Sequence, residues 1–218
     1  AYATQAAVWL TLTPSDSASG VSEMMISNVS DGAGGTWVEF SGFAAWTLSA
    51  GDGEKTVYVW YRDALGNQSG PFSDTITLDS TAPAGSVTIA GGVATTTTNT
   101  AALTLTYTGT ETGLQMRLSN SVTALSGLAW QPFAGSVADW NLGAGNGVKE
   151  VFVQFRDSAG NLSPVYSDTI LFDDTDPTGS LYINGMAALT NDAGVDLFIV
   201  FNEEGSGVVQ MRVAASEA

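Results

Sequence analysis

One register runs through this chain. Val57–Ser69 (VYVWYRDALGNQS) returns 94 residues later as Val151–Ser163 (VFVQFRDSAGNLS), with seven of the thirteen positions identical. At the same offset, Ser73–Ile76 returns as Ser167–Ile170, Trp46–Leu48 as Trp140–Leu142, and Thr81–Ser86 as Thr175–Ser180. Such self-similarity means that one supersecondary unit has been copied along the chain, and it dictates how the rest must be read. Gln115-Met-Arg117 reappears as Gln210-Met-Arg212 at an offset of 95, which marks one inserted residue. The register divides the chain into three parts. Residues 1–79 are a repeat without its first strand, because Ala1 aligns near Ala94. Residues 80–174 are a complete repeat, and 175–218 are the opening part of a third. A window cut from a longer array explains these ends. A rival explanation is a strand supplied by a neighbouring molecule.

Within the complete repeat the apolar residues alternate. Leu103, Leu105 and Tyr107 are interleaved with Thr104, Thr106 and Thr108, the pattern of a half-buried strand. Met116 and Leu118 share a face of another strand, and Val151, Val153 and Phe155 form the inward face of a third, matched by Val57, Val59 and Tyr61. Ser86–Ile89 and Asp168–Phe172 read as further strands. The turn after Arg156 carries Gly160-Asn161, expected to supply positive φ. Trp37, Trp46, Trp130 and Trp140 recur between copies as core or corner residues. No segment of useful length has the helical period. About seven short strands in some 94 residues predict an all-β fold of tandem immunoglobulin-like β-sandwiches.

Composition removes several functions. There are 22 acidic against 6 basic residues, a net charge of −16. That field repels phosphate backbones and anionic membrane surfaces, so no nucleic acid is expected as a partner. No apolar run reaches membrane-spanning length. The absence of His and Cys removes Ser-His-Asp chemistry, His-ligated zinc and thiol nucleophiles. Ser–Lys chemistry would need Lys55 or Lys149, both placed on exposed turns. Paired carboxylates would need a cleft that small sandwiches rarely offer. The chain is read as non-enzymatic.

The linker runs Asp79–Ile89 and Asp173–Ile183, with Gln115–Asn120, Trp140–Leu142 and Val151–Ser163, together resemble bacterial Ig-like tandem repeats of large cell-surface and secreted proteins. The resemblance spans the whole chain. It implies an extracellular, bacterial cell-surface location, neighbouring repeats of the same protein as partners, and any glycan or surface ligand held elsewhere in that protein. Calcium often sits at the junctions of such arrays.

In a sandwich of this kind, two loops face the incoming linker. That gathers Asp79, Glu111, Asp157 and Asn161 at the first junction, and Asp173, Asp174, Asp176, Glu203 and Glu204 at the second. Calcium takes about six to eight oxygens, and converging acidic loops can supply them. The same acids also serve as turn caps and solubilising groups. Arg62 and Arg156, on the outward phase of their strands, are expected in surface ion pairs. Tyr58 and Trp60, which the second copy does not repeat in full, are read as packing residues or as a platform for a sugar ring. The expected function is an extracellular spacer array of an adhesin, stalk or filament with calcium-stiffened joints. The alternative is a carbohydrate-binding accessory module of a secreted enzyme.

Overall fold

Alternation along the strands builds the sheets seen in the computed structural model, which describes residues 1–109, 112–203 and 205–215. The chain forms two compact units. The first is Ala1–Pro83 with the loops Thr110–Leu114 and Arg156–Ser163, and the second is the remainder. Both are all-β and carry the tandem immunoglobulin-like sandwich pattern.

In the first unit, β1 (Tyr2–Ala3), β7 (Gln68–Leu78), β6 (Gly53–Asp63), β3 (Val21–Ser27) and β4 (Val38–Glu39) lie side by side in that order. The opposing sheet is β2 (Ala7–Thr11) paired antiparallel with β5 (Phe43–Thr47). Every second residue of β6 points inward. Val59 and Tyr61 meet Met24 and Ile26 of β3, and Leu10, Leu12, Ala44 and Trp46 close over them from the second sheet.

In the second unit, β8 (Ala84–Ile89), β10 (Thr100–Thr108) and β13 (Ser136–Asn141) form one sheet, in the order β13-β10-β8. β12 (Gln131–Pro132), β11 (Gln115–Ser119), β14 (Gly147–Arg156), β15 (Tyr166–Phe172) and β9 (Thr95–Thr96) form the other. The sandwich β8–β15 of this unit repeats the plan of the first with one more strand. Val151, Val153 and Phe155 are completely enclosed. Each such side chain contributes roughly 1.5–3 kcal/mol relative to exposure. Gly85 is required where β8 crosses Phe155: a Cβ there would lie 2.6 Å from the ring and closer still to the Thr106 carbonyl. Gly179 repeats the constraint in β16 (Thr178–Ile183), which pairs antiparallel with β17 (Leu197–Asn202).

A single helical turn, α1 (Val122–Leu125), lies between β11 and β12 and buries Leu125. One expectation needs correction. At the turn after β14 only Gly160 has positive φ (102°), and Asn161 contributes its side chain instead. Gln210-Met-Arg212 is not a strand, although Gln115-Met-Arg117 lies in β11. β11 has β12 and β14 to pair with. Among the described residues nothing pairs with 210–212.

Candidate functional site

The turn after β6 shows how these loops are built. Asp63 is buried, and its Oδ1 accepts the N–H of Leu65 (2.9 Å) and Asn67 (2.8 Å). Its Oδ2 accepts the Asn67 side-chain amide (2.8 Å) and the Ser19 hydroxyl (2.7 Å). The Asn67 amide, then the Ser19 hydroxyl, hold the carboxyl at a pKa of about 2. Donors to a carboxylate favour its charged form.

Asp157 holds the same place one register on. Its Oδ1 likewise accepts the N–H of Gly160 (2.7 Å) and Asn161 (2.8 Å). Here the Asn161 amide turns away and donates to the Asp79 carbonyl at 2.8 Å. Asp157 is only 3% exposed, and its Oδ2 has no partner. Asp79 also donates its own N–H to Ala3 O (2.9 Å), and its Oδ1 accepts from Thr81 N at 3.3 Å. Three of the four residues expected at the first junction therefore occupy one corner of the first unit. Glu111 lies outside the described residues.

The Asp173 corner, inside the second unit, differs. Asp173 Oδ1 accepts from the Asn146 amide (2.9 Å) and Thr175 N (3.2 Å), and Oδ2 accepts from Ser206 N at 2.7 Å. The Ser206 N–H is the largest cause lowering its pKa. Gly205 permits this approach, because a Cβ there would collide with the carboxylate. Glu203 lies beside it with both carboxyl oxygens buried, and only a protonated carboxyl there could donate to Asp173. Burial, then the negative charge of the adjoining Asp173 and a hydrogen bond to its carboxylate, then the charge of Asp176, push the Glu203 carboxyl above its ordinary range. Asp174 is exposed and donates its N–H to Asn146 Oδ1 at 3.2 Å. Glu204 lies outside the described residues. Among the described residues no three acidic side chains are grouped to hold a metal ion. A cation at this corner would therefore need backbone carbonyls or water beside Glu203.

Sequence reading passed over a further tether. Asp52 accepts the Ser80 N–H (3.0 Å), the Ser80 hydroxyl (2.7 Å) and the Thr81 hydroxyl (2.6 Å). Asn146, 94 residues on, binds Asp173 and Thr175. The shared register pairs these two positions and was the available signal.

The remaining candidates are committed to packing. Arg62 forms an ion pair with Glu23 and lies 4.5 Å over the Trp37 ring. Arg117 repeats the stacking on Trp130 at 4.4 Å. Trp46 and Trp140 donate their indole N–H to Asn28 (2.8 Å) and Asn120 (2.6 Å). Tyr58 and Trp60 are half-buried, 6.4 Å apart, and Gly32 and Gly70 lie against the Trp60 ring. Lys55 and Lys149 donate to the carbonyls of Ala50 (3.1 Å) and Ala144 (2.8 Å).

No protein-family model matches this sequence, and no curated protein matches it. Solved structures do resemble it. The fibronectin(III)-like modules of CbhA from Clostridium thermocellum align over 78% of this chain and 87% of theirs, with 16% identity and a TM-score of 0.44. A tetra-tandem repeat from the extending region of a large adhesion protein aligns over 93% of this chain and 60% of its own, with 19% identity and a TM-score of 0.32. The BSP domain of a biofilm associated protein aligns over 79% and 28%, with 16% identity and a TM-score of 0.27.

Proposed function

We propose that this segment is a non-catalytic spacer in an extracellular array, part of a bacterial surface adhesin or stalk, built from repeats over 1–79, 80–174 and 175–218. The observation that carries this reading is the linker tether. Asp52 binds Ser80 and Thr81, and Asn146 binds Asp173 and Thr175, so each linker is hydrogen-bonded to the sandwich it leaves. A fixed exit suits a spacer, and Pro83 and Pro177 restrict the linkers further. Groups that could do chemistry, such as Arg62, Lys55 and Lys149, are already held by other protein groups. Stretching the chain by its ends tests the reading. Discrete unfolding events releasing about 30 nm each, from ~3.4 Å per residue, are expected, and smooth extension without such events would sink it.

Calcium is proposed at the Asp173 corner, supported by the buried oxygens of Glu203, which feel the negative charges of Asp173 and Asp176. For a Kd of ~0.1 mM and about 1 mM calcium, binding would stabilise by ~1.4 kcal/mol. Melting curves with calcium and with chelator should differ accordingly, and superimposable curves would remove the ion. The carbohydrate-binding alternative rests on Tyr58 and Trp60, whose rings are half-buried and partly covered. A glycan array decides it, through any binding lost in Trp60→Ala.

A further inference from the structure

Of the six tryptophans in this chain, five are half-buried and one is not. Trp9 is 77% exposed, and Phe43, on the neighbouring strand, is 67% exposed. Strand pairing puts both on the outward face of the β2–β5 sheet. Val8 opposite Trp46 and Leu10 opposite Ala44 take the inward phase, and Leu10, Ala44 and Trp46 pack on the core. Trp9 opposite Ala45 and Thr11 opposite Phe43 therefore point away from it. The two rings stand at diagonal corners of a four-residue patch, with attachment points roughly 7–8 Å apart. Thr11 and Ala45 fill the other corners and are too small to cover the ring faces. Among the described residues neither ring meets another ring or a cation, and the Trp9 indole N–H and the Thr11 hydroxyl have no hydrogen-bond partner. The other tryptophans are engaged. Trp37 and Trp130 lie under guanidinium groups, Trp46 and Trp140 donate their N–H, and Trp60 lies against Gly32 and Gly70.

This exposure is a property of the face and does not depend on what flanks β2. In the second unit β8 lies against β10, yet the matching outward residues Ala102, Thr104 and Ser136 are exposed too. The match follows from pairing: Leu103 opposite Val137 and Thr104 opposite Ser136 repeat Leu10 opposite Ala44 and Thr11 opposite Phe43. A repeat thus folds with Ala and Ser where the first unit has Trp9 and Phe43, so the core does not require the two rings.

Area and charge select what they hold. Together the rings offer roughly 300 Å², far short of the ~800 Å² per partner of a standard protein interface. β2 and β5 carry no charged residue, on a chain of net charge −16. That field repels an anionic ligand, and a cationic one finds no carboxylate on these strands. The ligand that gains is neutral, with an apolar face and a hydroxylated rim. A pyranose meets this description: its C–H face covers an aromatic ring, and its hydroxyls reach the Thr11 hydroxyl and the indole N–H. We propose that Trp9 and Phe43 form a surface platform for a neutral polysaccharide, whose chain runs obliquely across β2 and β5 to cover both rings. The platform is separate from Tyr58 and Trp60, and it adds to the spacer reading without resting on it.

The test is a titration of the 218-residue chain with neutral hexasaccharides of glucose, xylose, mannose and N-acetylglucosamine, and with heparin as an acidic control, followed by the NMR signals of the indole N–H groups. Saturable binding of a neutral hexasaccharide that shifts the Trp9 signal is expected, with none for heparin. Trp9→Ala and Phe43→Ser should each weaken binding about tenfold. Both should keep the wild-type melting temperature, because Ala102 and Ser136 already hold these places in the second unit. No saturable binding of any neutral hexasaccharide would overturn the proposal. So would binding of heparin alone, equal binding by the two variants, or binding that shifts Trp60 and leaves Trp9 unmoved. Self-association lost in Trp9→Ala, without glycan binding, would give the face to a second copy and overturn it as well. None of these outcomes alters the stretching experiment, which tests the spacer reading.

Discussion

The side-chain amide of Asn161 donates to the backbone carbonyl of Asp79 at 2.8 Å, whereas Asn67, its counterpart one register earlier, donates to Asp63 at the same distance. One residue of the repeat thus does two jobs. It stabilises a buried carboxylate in one copy and fastens a linker in the other. The exchange leaves Asp157 Oδ2 buried and unpartnered, while Asp63 accepts four hydrogen bonds.

Alanine at the two positions should therefore give different phenotypes. Asn161→Ala frees the Asp79 carbonyl and should cost about 1 kcal/mol, with faster amide exchange near residues 79–81. Asn67→Ala removes the largest cause of the low Asp63 pKa, so NMR titration should show that carboxyl moving up toward 3.8.

Acid stability follows from the same group. The folded pKa of Asp63 is about 2 against an ordinary 3.8, so the unfolded chain takes up the proton first. Its contribution is complete above about pH 4 and is lost as pH falls toward 2. Denaturant midpoints measured from pH 5 to pH 2 should drop through that window in the wild type, and less steeply in Asn67→Ala.

Glu203 has the opposite sign. Its folded pKa is raised above the ordinary 4.5, so its contribution is present below that pH and is lost as pH rises through the folded value. Glu203→Gln removes this titration, so the fall in denaturant midpoint as pH rises above about 4.5 should be shallower in the variant than in the wild type. The substitution should also abolish any calcium-dependent gain in melting temperature.

Phe155 and Tyr61 occupy the same core position, yet Phe155→Ala should cost about 3–5 kcal/mol and Tyr61→Ala clearly less. The Phe155 ring is fully enclosed under Gly85, while the Tyr61 ring borders a cavity. Denaturant unfolding of the two variants compares them directly.

Gly85→Ala should destabilise the second unit by about 1–3 kcal/mol through overpacking, since the added Cβ meets the Phe155 ring and the Thr106 carbonyl. Gly91 provides a contrast in cause. A Cβ there meets nothing within 4 Å, so Gly91→Ala carries only the strain of φ +69°.

Most of the fold was legible along the chain. The alternation of Leu103, Leu105 and Tyr107, or of Val151, Val153 and Phe155, assigned their inward faces. Period-2 patterning is local, so it survives without knowledge of any partner. The carboxylates of the loops were legible as residue types but not as a site. A hydrogen bond is decided within a few tenths of an ångström, between groups as distant in sequence as Asn161 and Asp79 or Ser206 and Asp173. Two identical Asp-to-Asn spacings therefore read alike while their amides go to different acceptors. The same holds for the cavity beside β2. The sequence by itself set the repeat register and the inward phase of Val57, Val59 and Tyr61. Only the tertiary structure showed that Thr11, Thr13, Tyr61 and Asp74 line one cavity, because their meeting depends on how two sheets pack.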